Sequence, residues 1–250
     1  MLLEDKGWAS VYYPFPLTEG TAPADIFAQQ QQRRQWATDS LRILFWDNPF
    51  LRKGLQWHQK VSYFHFGYHY IMFGIAYPIF FFIPIWALFS GAFVLTAPLW
   101  LFVVYRLPYL GMMRWMNSSM TNHKQDIKSF QVQSGLWFVY LVAIFTALLH
   151  PIQRPNYRVN TKVTRDINLF ARALAVFPNL ALIGLSLAAI VYGFIHYWDR
   201  PTFLWIHVFW CGWAVFAVFR ATLVGMFPGV MYAWSAKYER DKTHGKRKNK

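Results

Sequence analysis

Long uncharged windows dominate the chain and set its elements. Residues 69–89 contain no Lys, Arg, Asp or Glu. A helix needs roughly 20 apolar residues to cross a bilayer, so this window predicts a transmembrane helix. After Ser90-Gly91 the apolar pattern resumes at Ala92 and runs to Met113, interrupted by the charge of Arg106 alone. The two windows predict a tight hairpin, with Arg106 one to two turns from its cytoplasmic end and placed to snorkel there. Windows 173–198 and 201–219, the latter continuing past Arg220 to about Trp234, predict a second hairpin. A further apolar run, 136–149, has 14 residues. Runs of about 10–14 are too short to span, and polar residues precede it, so it reads as an amphipathic helix lying in the membrane surface. Four spans are expected.

Charge gives these spans a direction. Of the 25 Lys and Arg, seven fall in 1–62, seven in 114–165 and seven in 237–250, against only Arg200 in the connection 198–202 and none at Ser90-Gly91. The positive-inside rule places both termini and the middle loop in the cytoplasm. The net charge of +14 is therefore mainly sidedness, not a nucleic-acid groove. Composition excludes other classes: 56% hydrophobic and 14% charged residues fit neither a disordered chain nor an ordinary soluble domain. One cysteine, Cys211, excludes an intramolecular disulfide. The predicted fold class is an all-α polytopic membrane protein with four transmembrane helices and amphipathic interfacial helices. Its layout is a cytoplasmic segment 1–62, hairpin 63–113, a cytoplasmic interfacial helix and loop 114–168, hairpin 169–236, and a basic tail 237–250.

The densest polar patch runs from Gln29 to Asp39. Pro23 and Asp25 are helix-start signals and Asp47-Asn48-Pro49 closes the segment, which predicts a helix from about Ile26 to Trp46. Spacings of three and four put Gln29, Gln32, Arg33 and Trp36 on one face, while Arg34 points elsewhere. That face offers amide donors, a guanidinium suited to phosphate and a flat ring suited to the apolar side of a sugar. A polar surface helix with a packed Trp has the same composition. Histidines suggest no metal set: His65 and His69 are four apart, and the other six are scattered. Pro78, Pro84, Pro98 and Pro108 predict bends in the first hairpin. Arg220, an intramembrane cation, is a candidate channel-lining residue.

Gln32-Arg33-Arg34-Gln35-Trp36 resembles the Q-x-x-R-W motif of processive family-2 glycosyltransferases, the cellulose synthases, curdlan synthases and their relatives. Gly7-Trp8, Glu19-Gly20-Thr21-Ala22-Pro23 and Asn48-Pro49 fall in the same order around it. Tyr157-Arg158-Val159-Asn160-Thr161-Lys162 resembles the F-x-V-T-x-K gating loop of that family, placed between an interfacial helix and the last pair of spans. The resemblance implies the translocation-channel and acceptor-binding part of a membrane β-glycan synthase in a bacterial-type inner membrane. It implies that Trp36 stacks on the acceptor sugar and that Gln32, Arg33 and Gln35 meet the donor diphosphate. The gating-loop positions would be Tyr157, Val159, Asn160, Thr161 and Lys162, with Lys162 reaching donor phosphates. Gln35 replaces the family's Arg, and Arg33, about 60° around the helix from Trp36, is positioned to supply the missing charge.

The same resemblance implies that residues 1–62 end an α/β nucleotide-sugar-binding domain, whose Trp8–Pro16 stretch alternates like a strand. No D-x-D occurs in the 250 residues, and Glu4-Asp5 lies too close to Gly7-Trp8 for the family's T-E-D base. No residue here is assigned a catalytic or metal-binding role, and the chain is expected to be inactive alone. The Mg or Mn ion, the nucleotide-sugar donor and the glycan acceptor would be bound with the missing catalytic domain; no PilZ domain follows. The alternative is a non-enzymatic four-span transport or assembly subunit. Lipid is a partner in either case, and nucleic acid in neither.

Overall fold

The structure is a computed structural model that describes residues 1–11, 13, 15, 23, 25–92, 99–120, 127–151 and 166–229, with the side chains of residues 99, 102, 117 and 120 left aside. Its elements are helices α1 (Leu2–Asp5), α2 (Ile26–Phe45), α3 (Trp57–Ile71), α4 (Tyr77–Ser90), α5 (Leu99–Met120), α6 (Ile127–Ser134), α7 (Trp137–Leu149), α8 (Leu169–Ala175), α9 (Phe177–His196) and α10 (Pro201–Met226). A 3-10 turn covers Pro49–Leu51, and a π turn, Met72–Ala76, joins α3 to α4. Among the described residues there is no strand; Tyr12, Pro14 and Pro16 of the alternating stretch 8–16 lie outside them.

Three helical stretches are long and apolar enough to cross a membrane: Trp57–Ser90, Phe177–His196 and Pro201–Met226. They contain the windows 69–89, 173–198 and 201–219 in large part. The first starts twelve residues before the apolar window, because α3 carries polar side chains at its beginning without losing its helix. Gln59 Oε1 accepts the Gln56 N–H at 2.9 Å and secures that start. The expected span 92–113 is not in this group. Residues 93–98 lie outside the described set, and α5 continues to Met120 through Arg106 and Arg114. Among the described residues a fourth candidate arises if α6 and α7 are taken as one broken helix.

The chain divides into two units, Met1–Ile79 with Leu136–Asp166, and Phe80–Gly135 with Ile167–Lys250. In the first, α2, α3 and α7 pack together. Asp25 caps α2, its Oδ1 accepting the Ala28 N–H at 2.8 Å. Ala37, Thr38, Leu41 and Leu44 then form the buried stripe of α2. The buried stripe of α7 is Val139, Tyr140, Ala143, Ile144 and Ala147. Its opposite side, however, exposes Val142, Phe145, Leu148 and Leu149. The amphipathic helix expected over 136–149 is thus apolar on both sides, one set by protein contacts and the other open.

Two features seat α7. Tyr77 N–H bonds to Met72 O, five residues back, where Pro78 would crowd the Gly74 carbonyl of a regular helix. At this widened turn a Cβ on Gly74 would lie 2.8 Å from Ile144 Cδ1 and 3.1 Å from the backbone of Tyr140 and Leu141. Only a glycine lets α7 approach so closely. At the C-terminal end, Trp46 Nε1 donates to Ala147 O at 2.8 Å, and the Arg42 guanidinium donates to His150 O and Pro151 O. α2 and α7 therefore run parallel with their C-termini together, and Arg42 offsets two aligned negative helix ends.

In the second unit α9 and α10 pack against one another, and α6 lies along α10. Pro178 in the first turn of α9 has no N–H to continue the ladder from α8, which ends at Val176. Asn179, 1% exposed, donates from Nδ2 to Gly135 O at 2.8 Å, satisfying the carbonyl freed where α6 stops. Gln131 Nε2 donates to Phe216 O at 2.7 Å. Arg106 of α5 packs against aromatic rings. Its guanidinium lies 4.6 Å from the centre of the Trp210 ring and 5.0 Å from that of Tyr109. α5 runs on for fourteen residues beyond it, seven of them past the end of the apolar window at Met113.

Candidate functional site

Within the first unit the polar face of α2 meets the N-terminal part of the π turn and α7. Arg33 stands one turn before Ala37, on the edge of the buried stripe, and its Cζ lies 5.2 Å from the Trp36 ring centre. Its Nε is buried and has no hydrogen-bond partner. The Arg33 charge acts on His69, Tyr70 and Tyr140, so α3 and α7 wall the inner side of the site. Tyr70 and Tyr140 rings are 5.2 Å apart, Phe73 is 6.5 Å from Tyr140, and His69 stands 4.8 Å from Phe73. Ser40, two turns along α2, lies on the same side, close enough to Tyr70 to act on its phenol.

Outward, Trp36 keeps 48% of its surface exposed, and Arg34 is exposed on another face of α2. Gln32 and Gln35 are half-buried on the flank of α2. The arrangement joins a partly desolvated guanidinium with open donors to an accessible indole, which suits a ligand with an anionic group next to a flat, hydroxyl-bearing ring. Of the residues read from the sequence, Gln32, Arg33, Gln35 and Trp36 share α2, and Arg33 and Trp36 touch. Tyr157, Val159, Asn160, Thr161 and Lys162 lie outside the described residues. Arg220 belongs to the second unit, in the last turns of α10. Sequence reasoning missed Ser40, Tyr70 and Tyr140. Tyr140 is the lone phenol in the run 136–149, the one local signal that could have marked it.

Glu4 and Asp5 are structural. Glu4 accepts from Tyr63 Oη at 2.7 Å and Ser10 Oγ at 2.8 Å. Asp5 accepts the Gly54 N–H at 2.9 Å and faces Arg52 at 3.9 Å. The Tyr63 and Ser10 hydrogen bonds hold the Glu4 carboxyl below the usual glutamate value. Among the described residues no three His, Cys, Asp or Glu side chains converge as a metal set.

No family model matches the chain. Individual relatives do. The chain is 31% identical over 198 residues to the UDP-forming cellulose synthase catalytic subunit of Pseudomonas fluorescens, an alignment that takes in 76% of this chain and 26% of that protein. It is 28% identical over 200 residues to cellulose synthase 2 of Novacetimonas hansenii, covering 76% of this chain and 12% of the relative. Cellulose synthase 1 of Komagataeibacter xylinus is 26% identical over 182 residues, 72% of this chain and 12% of its own length. The chain thus spans about a quarter or less of the curated relatives it matches.

Proposed function

We propose, on the premise that this chain is related to the cellulose synthases among the family-2 glycosyltransferases, that it is the acceptor-binding and translocation part of a membrane β-glycan synthase. The observation that carries the reading is the Arg33 guanidinium, with its Nε buried and unpartnered, held over the half-exposed Trp36. In this reading Trp36 stacks against the terminal sugar of the acceptor and holds its plane. Arg33 binds the diphosphate of the nucleotide-sugar donor, where a charged donor is worth about twice a neutral one. Gln32 and Gln35 add neutral amide donors, and Lys162 supplies a second cation to the phosphates. Tyr140 and Tyr70 keep water from the inner side of Arg33, which strengthens its attraction to phosphate.

Both termini and the loop 114–168 face the cytoplasm in this proposal, so that α2 lies on the side where nucleotide sugars are made. Arg220 is a channel-lining residue. With no D-x-D in the sequence, the 250 residues by themselves make no polymer, and the acid, base and metal work belongs to a catalytic domain.

The test uses membranes in which the chain is expressed in its native genomic context, supplied with radiolabelled UDP-glucose and other UDP-sugars. Arg33→Ala raises the donor KM about tenfold, as expected for one lost hydrogen bond to a charged group, while Arg33→Lys recovers part of it. Trp36→Ala lowers polymer yield with donor KM little changed. An unchanged donor KM in Arg33→Ala would remove Arg33 from the diphosphate site.

A further inference from the structure

Arg33 of α2 has two histidines of α3 for neighbours. A Cβ on Gly67 would lie 2.8 Å from Leu44 Cβ, and Ser40 acts on the Tyr70 phenol. Numbers fall along α2 as they rise along α3, so the two helices are antiparallel and Arg33 lies beyond Ser40, on the side of Phe73. The His69 ring centre stands 4.8 Å from that of Phe73 and 5.3 Å from that of Tyr70, and the Arg33 charge acts on it. His65, one turn earlier on the same face of α3, also acts on His69. His65 is exposed and His69 half-buried, so the pair runs from water to the wall of the Arg33 site.

Histidines four apart on a helix can chelate a metal. Here Arg33 sets a fixed positive charge beside them, which repels a cation, and no third metal-ligating side chain converges among the described residues. The same field attracts an anion. The charged groups that act on His69 are Arg33 of α2 and His65 of α3, with no carboxylate among them. Tyr70 of α3 and Tyr140 of α7 are the titratable groups that share the field of Arg33. The guanidinium keeps its charge at every working pH, whereas an imidazole gains or loses one near neutrality. The site thus combines a permanent cation with two conditional ones.

We propose that His69, supported by His65, is a titratable cation on the α3 wall of the diphosphate site and tightens donor binding as pH falls. The ligand class is a nucleoside diphosphate ester. Arg33 holds one phosphate at all pH values, and the protonated His69 ring donates to the other. This rests on the diphosphate reading above and adds its regulation. In a nucleotide sugar each phosphate keeps one ionised oxygen throughout the range in which histidine titrates, so a pH dependence of the contact belongs to the protein. An anion between Arg33 and the ring favours the protonated imidazole, and binding therefore takes up a proton at His69.

The experiment uses membranes in which the chain is expressed in its native genomic context, fed with radiolabelled UDP-glucose near pH 6 and near pH 8, on either side of the ordinary histidine value. His69→Gln, His65→Gln, His69→Lys and Arg33→Ala are each compared with the unaltered protein at the same pH. The readout is the ratio of donor KM values, which cancels titration elsewhere, with kcat and the amount of folded chain measured alongside. His69→Gln raises donor KM about tenfold near pH 6, the loss of one hydrogen bond to a charged group, and less than about twofold near pH 8. His65→Gln acts in the same direction and more weakly, because it is one turn further from Arg33. His69→Lys keeps the low KM at both pH values, and Arg33→Ala raises KM by the same factor at both. A KM ratio for His69→Gln that is equal at the two pH values overturns the proposal. So does a change confined to kcat or folded chain, which makes His69 a packing partner of Phe73 and Tyr70. If Arg33→Ala leaves donor KM unchanged, or the unaltered protein makes no polymer from any UDP-sugar, the diphosphate reading fails first and His69 with it, a result distinct from a pH-independent His69→Gln.

Discussion

Replacing Gly135 by alanine probes the tightest junction of the second unit. The new Cβ would stand 2.2 Å from Ala221 Cβ and 3.2 Å from Gln131 O, against about 3.5–4.0 Å for an ordinary carbon contact. Both methyls are fixed to backbone, so no rotamer relieves the overlap, and α10 must move away from the end of α6 by more than 1 Å, roughly the shortfall from normal contact. Overpacking of this kind costs about 1–3 kcal/mol. The same movement stretches the 2.8 Å bond from Asn179 to Gly135 O, and leaving a buried amide unsatisfied costs about 1–3 kcal/mol more. Because the two losses share one displacement, about 3 kcal/mol is the expected total. The entropic gain of Gly→Ala, at most about 1 kcal/mol, does not offset it. For a chain of this size that corresponds to a Tm lower by roughly 6–12 °C. The assay is heating of the detergent-solubilised protein with the monodisperse fraction read afterwards. Ala221→Gly alone should cost about 1 kcal/mol for a glycine inside a helix, and the double variant Gly135→Ala with Ala221→Gly should melt close to it. A Gly135→Ala protein that melts like the original, or a double variant no better than Gly135→Ala, would refute the steric argument.

Other tests reach the first unit. Arg42→Ala leaves the carbonyls of His150 and Pro151 without the bonds Arg42 makes to them, which should loosen the end of α7 by about 1–2 kcal/mol; faster amide exchange over residues 144–150 is the signature, and an unchanged exchange pattern contradicts the clamp. Glu4 provides a pH dependence. Its carboxyl is held below the ordinary value of 4.5 by Tyr63 and Ser10, so its contribution to docking α1 is complete above that value and is lost as pH falls through the depressed one. Limited proteolysis near residues 6–11 should rise in that acid range, and Glu4→Gln should remove the pH dependence while raising cleavage at neutral pH.

Much of the architecture is local and therefore legible. Apolar windows marked all three helical stretches able to cross a membrane, since lipid solvation depends on composition over some twenty neighbouring residues. Asp25 and Asn48-Pro49 bounded α2 to within a residue, because caps and prolines act on the next turn. The order of the Q-x-x-R-W-like and gating-like segments pointed to the relatives that the comparisons found. α5 was harder to read. Its hydrophobic window ends at Met113, but the helix continues through Arg114 to Met120, and hydropathy does not register where a helix ends.

What only the tertiary structure decided are contacts between residues far apart in the chain. That Arg33 touches Trp36 follows from helical spacing, but that Tyr70 and Tyr140 wall it does not. That Arg106 stacks on Trp210, 104 residues away, is invisible to hydropathy. Nothing local to α2 marks Arg42 as the residue that caps α7 at His150. Hydropathy and capping are properties of a turn or two of chain, so sequence determined which segments become helices and which of them suit a bilayer. The placement of a long side chain is decided by which helix packs beside it, and that depends on small residues such as Gly74 and Gly135, whose effect is to let a distant backbone approach.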